Sequence, residues 1–174
     1  MQNIPGWFPQ TNKDTLEMLI QKYSVESVIE IGTFVGLSTV WFAERVKKVI
    51  TIDPFDALTR INYLRAEWKE AAKNQWENYL KNTAGFNNIE VIKMTSQDAA
   101  AGPLKDVIAD LIYIDGSHEY EEVKQDILTY WPKAKKVLCG DDYTPSWPGV
   151  RRAVDELELK MPVDKNQRCW FVIP

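Results

Sequence analysis

The stretch from Ser27 to Lys47 limits the fold more than any other part of the chain. Ser27-Val-Ile-Glu-Ile31 is a short run rich in β-branched residues, Gly32 stops it, and Leu37 to Lys47 reads as a helix. A strand, a tight turn and a helix in this order open a parallel βαβ unit. The alternation then continues. Lys48 to Ile52, Ile89 to Lys93, Asp110 to Ile114, Lys136 to Cys139 and Arg168 to Ile173 are further short apolar runs. Helical segments fall between them: within Arg60 to Asn82, after Gln97, over Tyr120 to Trp131 up to Pro132, and over Gly149 to Leu159. The pattern predicts an α/β protein with a doubly wound sheet, mostly parallel, with helices on both faces and any ligand at the carboxyl ends of the strands.

Two segments flank this pattern. Ahead of the first strand, Thr11 or Asn12 can cap a helix whose Leu16, Leu19, Ile20 and Tyr23 form an apolar stripe, giving residues 1–24 the role of a lid or packing helix. After the second strand, residues 56–88 form a helical insert carrying Tyr63, Trp68, Trp76, Tyr79 and Phe86. Its aromatic side chains can pack on the sheet, cover a small-molecule ligand or make a homodimer contact. The 174 residues, 45% hydrophobic and 26% charged, suit one domain over 1–174.

A net charge of −4 with acids and bases interleaved gives no general attraction for nucleic acid. The start of the chain lacks the basic and apolar regions of a signal peptide, and no apolar run reaches the length of about 18 residues that a membrane span needs. Cys139 and Cys169 lie in apolar stretches, as buried free thiols do, and a cytoplasmic location is the expectation.

The chemistry concentrates where strands end. In Glu30-Ile-Gly32-Thr33-Phe34-Val-Gly36, an acid and two glycines surround the first turn. Gly32 lets bare backbone approach a ligand, and Gly36 lets the next helix pack close to the strand. The dinucleotide fingerprint G-x-G-x-x-G is absent, which argues against NAD or FAD. Asp53, in Thr51-Ile-Asp53-Pro54-Phe55, closes the second strand at the place where a carboxylate can accept both hydroxyls of a ribose.

Glu30, Gly32 and Gly36 followed by Asp53 resemble the E-x-G-x-x-x-G motif and ribose-binding acid of class I S-adenosylmethionine-dependent methyltransferases. The resemblance covers nearly the whole chain and implies a seven-stranded, Rossmann-like methyltransferase fold. It also implies a cofactor site built from Glu30, Gly32, Thr33, Phe34, Gly36 and Ser38, from Asp53 with Pro54, and from Asp115. Ser96, Gln97 and Asp98 would meet the adenine.

Asp115-Gly-Ser-His118-Glu-Tyr120 and Gly140-Asp141-Asp142-Tyr143, with Pro148-Gly149 beyond, narrow the likeness. They are similar to the methyltransferase domain 24 group and to macrocin-type, metal-dependent sugar O-methyltransferases. The resemblance assigns Asp115, Asp141 and Asp142 to a magnesium ion, and three hard oxygen donors suit that ion. His118, the single histidine, has an ordinary pKa of about 6.5 that suits it to take a proton from an acceptor hydroxyl, and Asp115 is the alternative base. Trp147 can pack against a sugar or planar ring. The reading is an O-methyltransferase for a small hydroxylated acceptor such as a sugar. Its alternatives are a metal-independent small-molecule methyltransferase and a non-catalytic cofactor-binding module of the same fold.

Overall fold

A computed structural model of the chain describes residues 4–57, 66–158, 162–166 and 168–174. Five parallel strands come first: β1 (Ser27–Ile31), β2 (Lys48–Ile52), β3 (Ile89–Ile92), β4 (Ala109–Ile114) and β5 (Ala134–Gly140). Two more complete the sheet, β6 (Asp164–Asn166) and β7 (Cys169–Val172), in the order β3-β2-β1-β4-β5-β7-β6. β7 runs antiparallel to both β5 and β6. This is the doubly wound, mostly parallel sheet that the alternation predicts, with the seven strands that the resemblance implies.

Both faces of the sheet are buried, so the strands read as continuous apolar runs. Residues alternate between two cores. Ile29, Ile31, Ile50, Ile52, Ile112 and Ile114 point to one. There they meet α5 (Ser96–Ala101), α6 (Tyr120–Tyr130) and α7 (Pro148–Glu158) through Ala99, Val123, Ile127, Val150 and Val154. Val28, Val49, Leu111, Tyr113 and Val137 point to the other. There they meet α1 (Gln10–Lys22) and α2 (Leu37–Ala43) through Leu16, Leu19, Ile20, Trp41 and Phe42. Cys139 and Cys169 are buried free thiols, as expected.

Several boundaries differ from the sequence reading. α1 begins at Gln10 behind Pro9 with no side-chain cap, so Thr11 and Asn12 lie inside the helix. Pro9 needs no N–H at that position, and its carbonyl accepts from Asn12 and Lys13. α2 stops at Ala43 instead of reaching Lys47, because the Asn88 amide takes the carbonyls of Ala43 and Val46, each at 2.9 Å, and turns the chain into β2. The insert resolves into α3 (Ala66–Lys73) and α4 (Gln75–Thr83), while Tyr63 and the start of that predicted helix lie outside the described residues. β6 was not predicted. Its three residues, Asp-Lys-Asn, are all exposed and carry no apolar signal.

Among the described residues, no helix is long and apolar enough to cross a membrane.

Candidate active site

The first turn is built by close backbone approach. Gly32 adopts φ +82°, and a Cβ there would overlap the carbonyl oxygen of Asp115 and the Cα of Gly116. The glycine therefore lets the turns after β1 and β4 touch, a close approach in addition to the ligand approach expected of it. Gly36, at φ +92°, presents its bare face to Tyr79 and Thr83 of α4, both 3.3 Å from where a Cβ would sit. It seats the insert on the turn, a contact the sequence reading did not assign to it.

Asp53 ties this turn together. Its Oδ2 accepts from the backbone N–H groups of Thr33 and Phe34, both at 3.0 Å. Its Oδ1 accepts from the Phe55 N–H at 2.6 Å and from Gln75 Nε2 at 3.2 Å. A carboxylate offers about four acceptor positions, and here all of them are filled. Burial pushes the Asp53 carboxyl up from the ordinary range while the three backbone donors pull it back. Phe34 and Phe55, on either side of this carboxylate, both carry positive φ. Pro54 between them is exposed.

Glu30 is fully buried behind the turn. It accepts from the hydroxyls of Ser38 and Thr39 in the first turn of α2, and the Thr33 hydroxyl contacts that of Thr39. Burial raises its pKa to about 7 against the lowering effect of the two hydroxyls. Glu30 and Ser38 thus satisfy each other. Ser96 and Gln97 also have partners, since both side chains donate to Asp126 of α6, at 2.6 and 3.0 Å. Gln97 accepts from Thr129 as well, and Thr95 caps α5 with Asp98 exposed beside it. The side chains of Ser96 and Gln97 are thus committed to α6.

The ends of β4 and β5 bring three acids together. Asp115, Asp141 and Asp142 each offer an oxygen within 4.8 Å of the others. The Asp142 N–H donates to Asp141 Oδ1 at 2.5 Å, with Asp142 at φ +64°. Asp115 keeps an open edge to solvent, yet its carboxyl group is enclosed by protein. Burial, then the neighbouring Asp141, push it well above the usual carboxylate range. Asp141 is raised by burial too, against lowering by Asn12 and Arg168.

His118 Nε2 lies 2.6 Å from Asp142 Oδ2, and the imidazole stacks on Trp147 at 3.8 Å between centroids. Gly149 makes that stack possible, because a Cβ there would overlap the His118 carbonyl oxygen and lie 2.7 Å from the Tyr120 nitrogen. The backbone of α7 thus lies directly on the loop after β4.

Three members of the site escaped the sequence reading. Gln75 appeared as one position in an insert, Asn12 as a candidate cap, and Arg168 as the first residue of the last strand. Arg168 pairs through Nη2 with Asp142 and through Nε, at 3.4 Å, with Asp141. Its carbonyl accepts from the Tyr143 N–H at 2.9 Å, which anchors β7 to the loop after β5. Its place at the start of the last predicted strand was the one signal the sequence carried.

Three hard oxygens enclosed in a site whose carboxyls are pushed up are short of positive charge, and this donor set fits a divalent cation such as magnesium.

Residues 29–143 match the model of the Methyltransf_24 family, a methyltransferase domain. The Uncharacterized protein R132 of Acanthamoeba polyphaga mimivirus is 33% identical over 158 residues. That alignment takes in 83% of this chain but 65% of the relative, so the chain spans less than two thirds of its length. Among solved structures, the O-methyltransferase from Bacillus cereus in complex with SAH superposes with a TM-score of 0.64 at 19% identity, covering 99% of this chain and 85% of that one. CalS11, a TDP-rhamnose 3'-O-methyltransferase of calicheamicin biosynthesis, does so at 0.63 and 17%, covering 94% and 79%. At these identities the likeness is one of fold.

Proposed function

Because the chain belongs to the methyltransferase domain family, we propose that it transfers a methyl group from S-adenosylmethionine to a hydroxyl of a small acceptor such as a sugar, beside a carboxylate-held magnesium. The convergence of Asp115, Asp141, Asp142 and His118 at one edge of the sheet carries this reading. The O-methyltransferase fold of the two superposed structures, one of them acting on TDP-rhamnose, accords with it.

The cofactor would lie over the turn formed by Gly32, Thr33, Phe34 and Gly36, with its ribose at Asp53 beside Pro54. Asp53 fits that role because one of its four donors, Gln75, is a side chain that can swing away, whereas the other three are backbone. Glu30 and Ser38 support the turn from behind. The loop that holds Ser96 and Gln97 would offer backbone to the adenine, and Asp115 would border the cofactor and the metal together. The cofactor, when bound, supplies an electrophilic methyl on a sulfonium.

Asp115, Asp141 and Asp142 would hold the magnesium, which when bound lowers the pKa of a coordinated hydroxyl. His118 removes the acceptor proton. When Nε2 donates to Asp142, the lone pair sits on Nδ1, so Asp142 selects the tautomer and orients the ring as the acid of a catalytic triad does. Asp115 is the competing base, because its raised pKa makes it a better proton acceptor than an ordinary carboxylate. Trp147, already flat against His118, offers its remaining surface to the acceptor ring.

One observation favours a second reading. Arg168 already places a cation on two of the three acids, as a metal-independent methyltransferase would require.

Titration calorimetry with S-adenosylmethionine and S-adenosylhomocysteine, with and without magnesium, tests the cofactor site. Micromolar binding that Asp53→Ala loses supports it, and no heat from folded protein removes it. Turnover on a panel of sugars and catechols with and without a chelator then separates the two readings, since only the first loses activity to chelation.

A further inference from the structure

We propose that Arg168 is a resident counter-ion of the Asp115–Asp141–Asp142 triad and that a divalent cation enters only by displacing its guanidinium, so that Arg168 sets the metal affinity of the site. This rests on the reading of the triad as a cation site.

The guanidinium occupies two of the three acids that a metal would need. Arg168 holds Asp142 through Oδ1 and lies 3.4 Å from Oδ1 of Asp141. The other oxygen of Asp142 is held by His118, and Oδ1 of Asp141 also accepts the Asp142 N–H. Both oxygens of Asp142 and Oδ1 of Asp141 thus already carry donors, and the guanidinium is the one of these donors that brings a full positive charge. Direct coordination places a magnesium or manganese ion about 2.0–2.2 Å from each oxygen. An ion so close to Oδ1 of both acids would sit against the positive guanidinium. Like charges at such separation repel, and in this buried setting water screens them poorly, the Asp141 side chain being 1% exposed.

The side chain that must leave is the one best placed to do so. Arg168 retains 25% side-chain exposure, and its guanidinium lies 5.8 Å from the centre of the Trp7 ring, which is itself 45% exposed. A guanidinium resting on an indole face stays cationic and partly hydrated. The Trp7 ring is therefore a surface toward which the guanidinium can shift when the acids release it.

A separate observation points to a ligand at the same place. Asn12 of α1 is wholly buried, yet neither its amide oxygen nor its nitrogen has a hydrogen-bond partner. The amide lies beside the Asp141 carboxyl without a hydrogen bond of ordinary geometry between them. A buried amide left without partners is costly, and a bound cation with its waters would satisfy it. Helix α1 thus brings a polar group with unsatisfied hydrogen-bonding capacity to the acidic edge.

Manganese(II) is the probe, because its free and bound forms are counted directly by electron paramagnetic resonance without any turnover. Wild type, Arg168→Met and Arg168→Gln are compared, with Asp141→Asn as the variant that removes a ligand and circular dichroism to verify folding. The expected result is manganese binding that tightens by about tenfold or more in both Arg168 variants and is lost in Asp141→Asn. Equal or weaker binding in folded Arg168 variants, beside measurable binding in wild type, overturns the role given to Arg168 while leaving the metal site intact. No binding in any of the proteins overturns the metal reading, and this inference falls with it.

Discussion

The side-chain amide of Gln75 donates to Oδ1 of Asp53 at 3.2 Å and takes the last open position of a carboxylate whose other three donors are backbone. The same amide nitrogen donates to the Phe34 carbonyl, and its oxygen accepts from the Ala57 N–H. One residue of the insert therefore links the glycine turn, the acid after β2 and the segment beyond it. If the ribose of the cofactor is to be held by Asp53, Gln75 is the group that yields.

Replacing Gln75 with alanine should accordingly separate stability from binding. Three hydrogen bonds are lost, each worth about 1 kcal/mol net, and a melting temperature lower by roughly 6–12 °C is expected for a domain of this size. Affinity for S-adenosylmethionine should be unchanged or up to several-fold tighter, because Asp53 no longer has to exchange a partner. Thermal melts paired with calorimetry decide it. A loss of affinity would mean that Gln75 itself holds the cofactor.

Glu30 gives the protein a stability term with a defined pH dependence. Its pKa rises from 4.5 to about 7 on folding, so the folded state holds a proton that the unfolded state has released between these values. The contribution is full below about pH 4.5 and is lost as pH climbs through 7, a difference of about 3 kcal/mol at most. Glu30→Gln should therefore flatten the fall in stability across this interval. Urea unfolding of both proteins near the two ends of the interval checks the slope, and parallel slopes would refute it.

His118→Ala should lower turnover by about 10²–10⁴-fold with cofactor affinity unchanged, as expected for loss of a positioned base. Trp147→Ala should raise the acceptor KM and lower kcat less, because the imidazole loses the ring that fixes it but keeps Asp142. Steady-state kinetics with varied acceptor distinguish the two patterns. If His118→Ala turns over normally, Asp115 becomes the base.

Two glycines should respond in opposite ways to alanine. At Gly32 the new methyl would overlap the Asp115 backbone at a positive φ, so Gly32→Ala should cost at least about 2 kcal/mol and displace Asp115 from the acidic cluster. Gly85 has nothing within 4 Å of its Cβ position, and Gly85→Ala should stay within about 0.5 kcal/mol of wild type. Chemical denaturation of the two variants measures both. A tolerated Gly32→Ala would show that the turns after β1 and β4 can separate.

The strands and the acids at their ends were legible from the sequence because both are local signals. A buried parallel strand needs an unbroken run such as Leu111 to Ile114 or Val137 to Cys139, and parallel winding then carries Asp53, Asp115 and Asp141 to one edge of the sheet whatever else the chain does. Their partners were not legible. Gln75 reaches Phe34 across 41 positions, Arg168 reaches Asp142 across 26, and Asn12 lies beside Asp141 from a helix at the other end of the chain. Polar side chains such as these have no periodic preference that marks their partner, since a hydrogen bond or ion pair depends on where the packed elements bring two groups. The chain's own residue pattern decided which edge would carry the chemistry, and only tertiary packing decided that Asp53 would be saturated, that Glu30 would be sealed behind the turn, and that an arginine would share the acids.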